Sequence, residues 1–197
     1  MRHQPLVSAA WADASTGRFV FNLTFDHVAG LREKYGPPSF AMLEVNISKA
    51  PSGGVALDFD LSWWGKKATR MAESLWMTFA AAGVSRDGWR MDKLGRDVDP
   101  LNTVLNGSRT MHGVWSGVRH RRAGSEADDV TITSVDAPLV SPGLTFSPTG
   151  IISAGAEGAA QPQDGWNWNL FNNAWACNFP LFSIDPEQRF RWRLVLG

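Results

Sequence analysis

The chain has one cysteine, one tyrosine and no surplus of either charge among its 197 residues. Cys177 alone excludes an internal disulfide framework and any zinc site built on cysteines. Lys plus Arg equals Asp plus Glu, 19 against 19, so no general field draws a polyanion and nucleic acid is not an expected partner. No apolar run reaches the ~18 residues of a membrane-spanning helix, so no membrane partner is expected either. The opening Met1-Arg2-His3-Gln4-Pro5 lacks the apolar core of a secretory signal. Three triplets, Asn22-Leu23-Thr24, Asn46-Ile47-Ser48 and Asn106-Gly107-Ser108, match the glycosylation acceptor. Chance also supplies that pattern, so localisation stays open. There is no Gly-rich phosphate loop opening a helix, no nucleophile elbow and no paired-histidine zinc signature.

What the chain does have is aromatic residues and alternation. Ten Trp and eleven Phe stand against the single Tyr, which means either a ring-packed core or exposed stacking platforms. Phe19, Phe21, Leu23 and Phe25 share one face of a strand, with Val20, Asn22 and Thr24 on the other. Leu43, Val45 and Ile47 repeat the pattern. A turn at Pro51-Ser52-Gly53-Gly54 then leads into Val55, Leu57, Phe59, Leu61 and Trp63, which predicts a hairpin. Asn106-Gly107 reads as a two-residue turn. Phe190, Trp192, Leu194 and Leu196 alternate with Arg189, Arg191 and Arg193, giving a last strand with one buried face and one basic face. One short helix is expected, capped by Asp26, carrying Val28 and Leu31, and stopped at Tyr35-Gly36-Pro37-Pro38. Residues 150 to 165 read as a Gly/Ala-rich loop. One all-β domain over residues 1–197 follows, an antiparallel sandwich or supersandwich with at most one or two short helices.

The chemistry is harder to place. The basic run Arg119-His120-Arg121-Arg122 is answered by Glu126, Asp128 and Asp129 and reads as a solvated turn. His3, His27, His112 and His120 are scattered. His112, expected in a strand beside Met111, suits a satisfied structural role better than catalysis, and Cys177 suits a buried apolar group. Glycoside hydrolysis needs two facing carboxylates, one kept protonated. Glu73, Asp92, Asp99 and Asp136 are the interior-looking candidates, and an ion pair from Arg70 to Glu73 competes with any acid role there. The densest stretch is Trp166-Asn167-Trp168-Asn169-Leu170-Phe171-Asn172-Asn173-Ala174-Trp175, continuing to Asn178-Phe179-Pro180. Amides both donate and accept, which suits sugar hydroxyls, and indole faces suit the C–H faces of a pyranose. The competing reading is a Trp-packed strand whose amides satisfy backbone at a bend.

These residues also carry a resemblance. Lys67-Ala68-Thr69-Arg70-Met71-Ala72-Glu73, Trp89-Arg90-Met91-Asp92-Lys93-Leu94-Gly95, Asp99-Pro100, Asn106-Gly107, His112 and Asp136-Ala137-Pro138-Leu139-Val140 come in order. Asn169 to Trp175, Asn178-Phe179-Pro180 and Arg189-Phe190-Arg191 follow. The series resembles the C-terminal β-rich region of a family of long, largely uncharacterised proteins similar to the α-mannosidases of glycoside hydrolase family 38. The Asn-Asn-x-Trp-x-x-Asn-Phe-Pro string is its most specific part. The chain departs from it at Ala72, Ala176 and Cys177, where the family has Pro, Gly and Thr.

The resemblance implies a galactose-mutarotase-like supersandwich that buttresses an N-terminal zinc barrel, present upstream or in trans, and takes carbohydrate as partner. No segment matches the zinc-binding part, so the chain itself is expected to hold no cofactor and no metal. The leading expectation is a non-catalytic accessory β domain. A free-standing lectin-like sandwich and an enzyme with its own pair, such as Glu73 with Asp136, stay open beside it. The expected ligand-binding residues are His112, Asp136, Asn172, Asn173, Trp168 and Trp175. A broad apolar patch would favour the first reading, a row of exposed Trp the second, and facing carboxylates in a cleft the third.

Overall fold

The computed structural model describes residues 3–51, 53–104, 110–143, 161–173 and 184–197. The fold is all-β and antiparallel. The strands are β1 (Leu6–Asp13), β2 (Arg18–Thr24), β3 (Phe40–Lys49), β4 (Val55–Trp64), β5 (Ser74–Phe79), β6 (Trp89–Lys93) and β7 (Arg96–Val98). They continue with β8 (His112–Gly113), β9 (Gly117–His120), β10 (Val130–Ser134), β11 (Leu139–Pro142), β12 (Trp166–Asn172) and β13 (Gln188–Leu196). One nine-stranded sheet runs β1-β2-β3-β4-β13-β10-β9-β6-β7, and a second runs β5-β12-β11-β8.

Register decides the faces, because partners in a ladder point the same way. Phe21, Leu43, Leu61 and Phe190 form one row across four strands, and Phe19, Val45, Phe59 and Trp192 form the next. These rows look toward the second sheet. Phe79 of β5 meets Phe59 at 5.0 Å and Trp192 at 5.7 Å between ring centroids, and Trp89 of β6 meets Trp166 of β12 at 5.4 Å. The tryptophans are therefore chiefly core: Trp63, Trp89, Trp166, Trp168 and Trp192 are all buried. None of their indole N–H groups finds a hydrogen-bond partner among the described residues. Their stabilisation comes from apolar area and ring packing, with a polar cost left unmet.

The opposite face of the nine-stranded sheet is laced with ion pairs. The basic face expected of β13 exists, but each arginine is matched. Arg189 pairs with Asp60, Arg191 with Asp136 at 2.9 Å and Arg193 with Asp58 at 3.2 Å. The predicted β3–β4 hairpin is present in full register from Phe40↔Trp64 to Lys49↔Val55.

The helix differs from expectation. It spans only Leu31–Tyr35 (α1), begins at Gly30 with φ 71° and has no side-chain cap. Asp26 instead takes a hydrogen bond from Arg32 Nη2 at 2.7 Å. A carboxylate that can reach a guanidinium need not cap backbone amides, so the chain turns once more before the helix starts. Gly36, at φ 56°, ends it where the Gly-Pro signal placed the stop. The basic run also differs: Arg119 and His120 lie in β9 rather than in a turn, and of its expected counter-charges Asp128 and Asp129 pair with it, while no pair to Glu126 is seen among the described residues. Arg119 meets Asp97 and Asp128, and Arg121 meets Asp128 at 2.9 Å. The Asn106-Gly107 turn, most of the 150–165 loop, Trp175, Cys177 and Asn178 lie outside the described residues.

One corner of the sandwich stays bare. On the face that is elsewhere core, Ile47, Val55 and Leu196 are 41%, 43% and 36% exposed. At the rims, β7 is three residues long and carries Arg96 and Asp97, whereas β1 is eight residues long with Leu6, Val7 and Trp11 exposed. No described strand pairs with the outer edge of β1.

Trp192, 2% exposed at the centre of the nine-stranded sheet, tests the core. Trp192→Ala is expected to cost about 3–5 kcal/mol in chemical denaturation. Trp192→Phe should cost well under half of that, because it keeps the ring packing and removes an unmet donor. Equal losses would show that the indole N–H is bonded after all.

Candidate functional site

The amide-rich strand is the natural place to begin. In β12 the residues alternate as Trp166, Trp168 on the core face and Asn167, Asn169 on the other, until an irregularity between Asn169 and Phe171 shifts the register against β5. Trp166, Asn167 and Trp168 are completely buried. Asn167 is also saturated. Its amide nitrogen donates to the carbonyls of Ser141, at 3.2 Å, and Gly143, and its oxygen accepts from Thr78 Oγ1 at 2.7 Å. It ties β5, β12 and the end of β11 together and has nothing left for a sugar.

Asn173 does the same at the far end of β12. Its amide nitrogen donates to Thr69 O at 3.0 Å and Met71 O at 3.3 Å, while its backbone N–H donates to Glu73 O at 2.8 Å. The bend reading of these amides is the one the geometry supports. Asn172 closes β12 opposite Ser74 of β5.

The expected ligand-binding residues do not converge. His112 lies in one row with Val140, Trp168 and Met77 across the four-stranded sheet. It is 4% exposed, and its Nδ1 is 3.5 Å from Lys93 Nζ. It thus faces the interior between the sheets. Trp168, at 0%, offers no ring face to solvent. Asp136 belongs to the opposite surface: it accepts from the backbone N–H and the guanidinium of Arg191, each at 2.9 Å. The picture of His112 and Asp136 lining one surface beside Asn172 and Asn173 is corrected by that placement. Trp175 lies outside the described residues.

The candidate carboxylates are engaged one by one. Asp92 accepts from Ser116 Oγ at 2.5 Å and from Gly95 N–H at 3.0 Å, and the Ser116 hydroxyl chiefly holds its pKa below the usual carboxylate value. The side-chain hydrogen bond from Arg191 does the same for Asp136. Asp99 pairs with Arg90 at 3.3 Å. A general acid must stay protonated, and hydrogen bonds to the ionised form work against that.

Glu73 is the exception, and its expected partner is corrected. Lys66 Nζ, not Arg70, lies 2.7 Å from Glu73 Oε1. The ammonium also reaches the carbonyls of Lys67 at 3.0 Å and Tyr35 at 3.4 Å and sits 4.6 Å from the Phe171 ring. The Lys66 side chain is wholly buried and that of Glu73 is 9% exposed. Burial pushes the Glu73 pKa up and the Lys66 pKa down, with their mutual bond opposing both shifts. The pair staples the end of β4, the turn after α1 and the tail of β12, so its lone carboxylate is spent on structure. No group of three or more His, Cys, Asp or Glu among the described residues is arranged to hold a metal.

One constellation escaped sequence reasoning. Ser85 Oγ lies 3.0 Å from His120 Nε2, and His120 Nδ1 lies 3.1 Å from Asp129 Oδ2. The charge pattern pointed to Asp129 as a partner of the basic run, but nothing local announced Ser85. It sits in the loop between β5 and β6, far from His120 in the chain. No protein family, curated protein or solved structure matches this chain.

Breaking the buried pair should cost much more than replacing it. Lys66→Met or Glu73→Leu alone is expected to lose about 3–5 kcal/mol, whereas the double variant should be neutral or more stable by up to about 4 kcal/mol. A denaturation cycle on the three variants checks this. An additive double variant would show the pair to be uncoupled.

Asp136 carries the pH signature. Its folded pKa lies below the unfolded one, so its contribution is full above the unfolded value and lost as pH falls through the folded one. Asp136→Asn should therefore lower the melting temperature at pH 7 and leave a shallower fall toward pH 2 than in the parent chain.

Proposed function

We propose that this chain is an accessory β domain of a glycoside-hydrolase-like, α-mannosidase-related protein, supporting carbohydrate binding or processing beside a separate catalytic domain. The observation that carries the reading is the bare corner around Ile47, Val55 and Leu196. It continues the ring-packed rows of the core, which supports reading it as a core face left partly uncovered among the described residues. A contiguous apolar patch of that kind marks a docking surface. Interfaces between domains of one protein resemble transient protein–protein interfaces and tolerate polar groups such as the exposed Lys49 beside Val55.

The engaged carboxylates support the same division of labour. Asp92, Asp99 and Asp136 are each tied to a donor or cation, and Glu73 is tied to Lys66. The carbohydrate part of the reading rests on the sequence resemblance. The lectin-like alternative calls for a row of exposed indoles. Among the described residues the strongly exposed indoles are Trp11 at 56% and Trp115 at 73%. Trp11 is on β1 and Trp115 in the turn between β8 and β9, so they form no row.

Two measurements test the reading. Ile47→Asp with Val55→Asp should leave the melting temperature of the isolated chain within about 2 °C and lower its self-association and dye binding in sedimentation and fluorescence assays. Global unfolding by that pair would mean that the corner is internal core. The purified chain should also hold no stoichiometric zinc and leave aryl α-mannosides intact. One tightly held zinc per chain, with turnover abolished by a chelator, would sink the accessory role.

A further inference from the structure

His120 ends β9, is 2% exposed, and packs its ring edge-on against Trp89 with centroids 5.3 Å apart. Both ring nitrogens nevertheless face oxygen. Nδ1 lies 3.1 Å from Asp129 Oδ2, just before β10, and Nε2 lies 2.9 Å from the Asp87 backbone carbonyl, in the loop leading into β6. A carboxylate and a peptide carbonyl only accept hydrogen bonds. A neutral imidazole has a single N–H, so it would turn a lone pair toward one of those oxygens, which is costly in a buried place. The imidazolium satisfies both at once, donating from each nitrogen.

The two bonds are unequal. Asp129 carries a charge, its Oδ1 also takes the Arg122 backbone N–H at 3.3 Å, and Arg122 Nε stands 3.7 Å from Oδ2. A hydrogen bond to an ionised acceptor is stronger than one to a neutral carbonyl. A discharging ring therefore keeps its proton on Nδ1 and gives up the one on Nε2. The charged residues against the ring are Asp129 and Arg122, from the β9–β10 turn, and Asp87, from the β5–β6 loop. Arg121, next in the chain, is paired with Asp128 at 2.9 Å, and β6 and β10 set Trp89 and Val130 beside the ring in the ladder. The bond lost on discharge is thus the one to the loop.

The loop is seated closely enough to feel that loss. Gly88, at φ 98°, sits where a Cβ would collide with the Arg121 carbonyl and stand 3.0 Å from His120 Nε2. The Arg121 N–H donates to Gly88 O at 3.1 Å. Ser85 Oγ lies 2.8 Å from the Asp87 carbonyl and 3.0 Å from Nε2. Beside a charged ring its hydroxyl donates to the carbonyl. Beside a neutral ring it turns to Nε2, and the Asp87 carbonyl is left facing a lone pair. Asp87, Gly88, Arg121 and Arg122 line a cleft of about 660 Å³, so a shift of the loop reshapes that cleft. We propose that His120 is a pH-operated latch: charged, it holds the β5–β6 loop against the end of β9, and neutral, it lets the loop go and the cleft change shape. The latch is independent of the accessory role, since it uses neither the bare corner nor the amide-rich strand.

The test is a titration of the full chain by heteronuclear NMR from about pH 5 to about pH 8.5, a span that brackets the ordinary histidine range and lies above that of carboxylates. At the acid end both His120 ring nitrogens are expected to carry hydrogen, and on titration Nε2 loses it while Nδ1 keeps it. The amides of Ser85, Gly88 and Arg121 should shift with the same midpoint as the ring. The Arg121 amide should lose at least about tenfold of its exchange protection, corrected for base catalysis, while Leu43 in β3 keeps its own. His120→Gln should remove the pH dependence at Arg121, and Ser85→Ala, which lacks the substitute donor, should enlarge it. Loop amides that move with another midpoint or not at all, or a ring that gives up the Nδ1 proton, overturn the latch. The parent chain alone decides this, even where His120→Gln fails to fold. Neither outcome bears on the docking corner.

Discussion

Phe79 touches both Phe59 and Trp192, and Trp89 touches Trp166; through these rings the two sheets become one body. They work beside Val140 and Trp168, which belong to the same core cluster, in a small sheet whose strands are short and whose β8 has only two residues. The rings also set a direction. Burial is deepest where the small sheet lies over β13, β10, β9 and β6, and fades toward the corner of Ile47 and Val55. Position on the core face and fraction buried thus vary together, and the bare corner is a property of how far the second sheet reaches.

The large sheet has its own constraint. Its central strand, β13, comes from the end of the chain and pairs with β4 on one side and β10 on the other. The sheet cannot be completed until residues 188–196 arrive. Pairings between distant segments form slowly, because the loop entropy is lost before the contacts are gained. The ion pairs of Arg189, Arg191 and Arg193 with Asp60, Asp136 and Asp58 help fix the register of that late strand. A slip of one residue would oppose each arginine to the wrong face.

Much of this was legible in the sequence and some was not, for identifiable reasons. Alternation in β2, β3, β4 and β13 is strong because one face is core and the other is solvated. The same alternation is absent from Leu6–Asp13, where both faces are exposed and nothing selects a pattern. Asp26 was misread as a cap because a local rule could not see Arg32 competing for it. Trp168 and His112 looked like a sugar site because composition shows what a side chain can do, not which way it faces. Glu73 was correctly placed in an ion pair, with the wrong cation. Arg70 is near it in sequence, whereas Lys66 reaches it through the fold. Ser85 could not be found at all, since a serine in a loop has no periodicity and its partners come from two other segments.

The two rims of the nine-stranded sheet are unlike. The β7 rim is three residues long and carries a charge of each sign, a poor template for another strand. The β1 rim is long and apolar, with no described neighbour. A sheet that can be extended from one side only has a built-in stop: two copies meeting rim to rim consume both open edges, and the growing ends are then two charged stubs. An association confined to the β1 rims would therefore be finite, ending at a pair with no route to a filament.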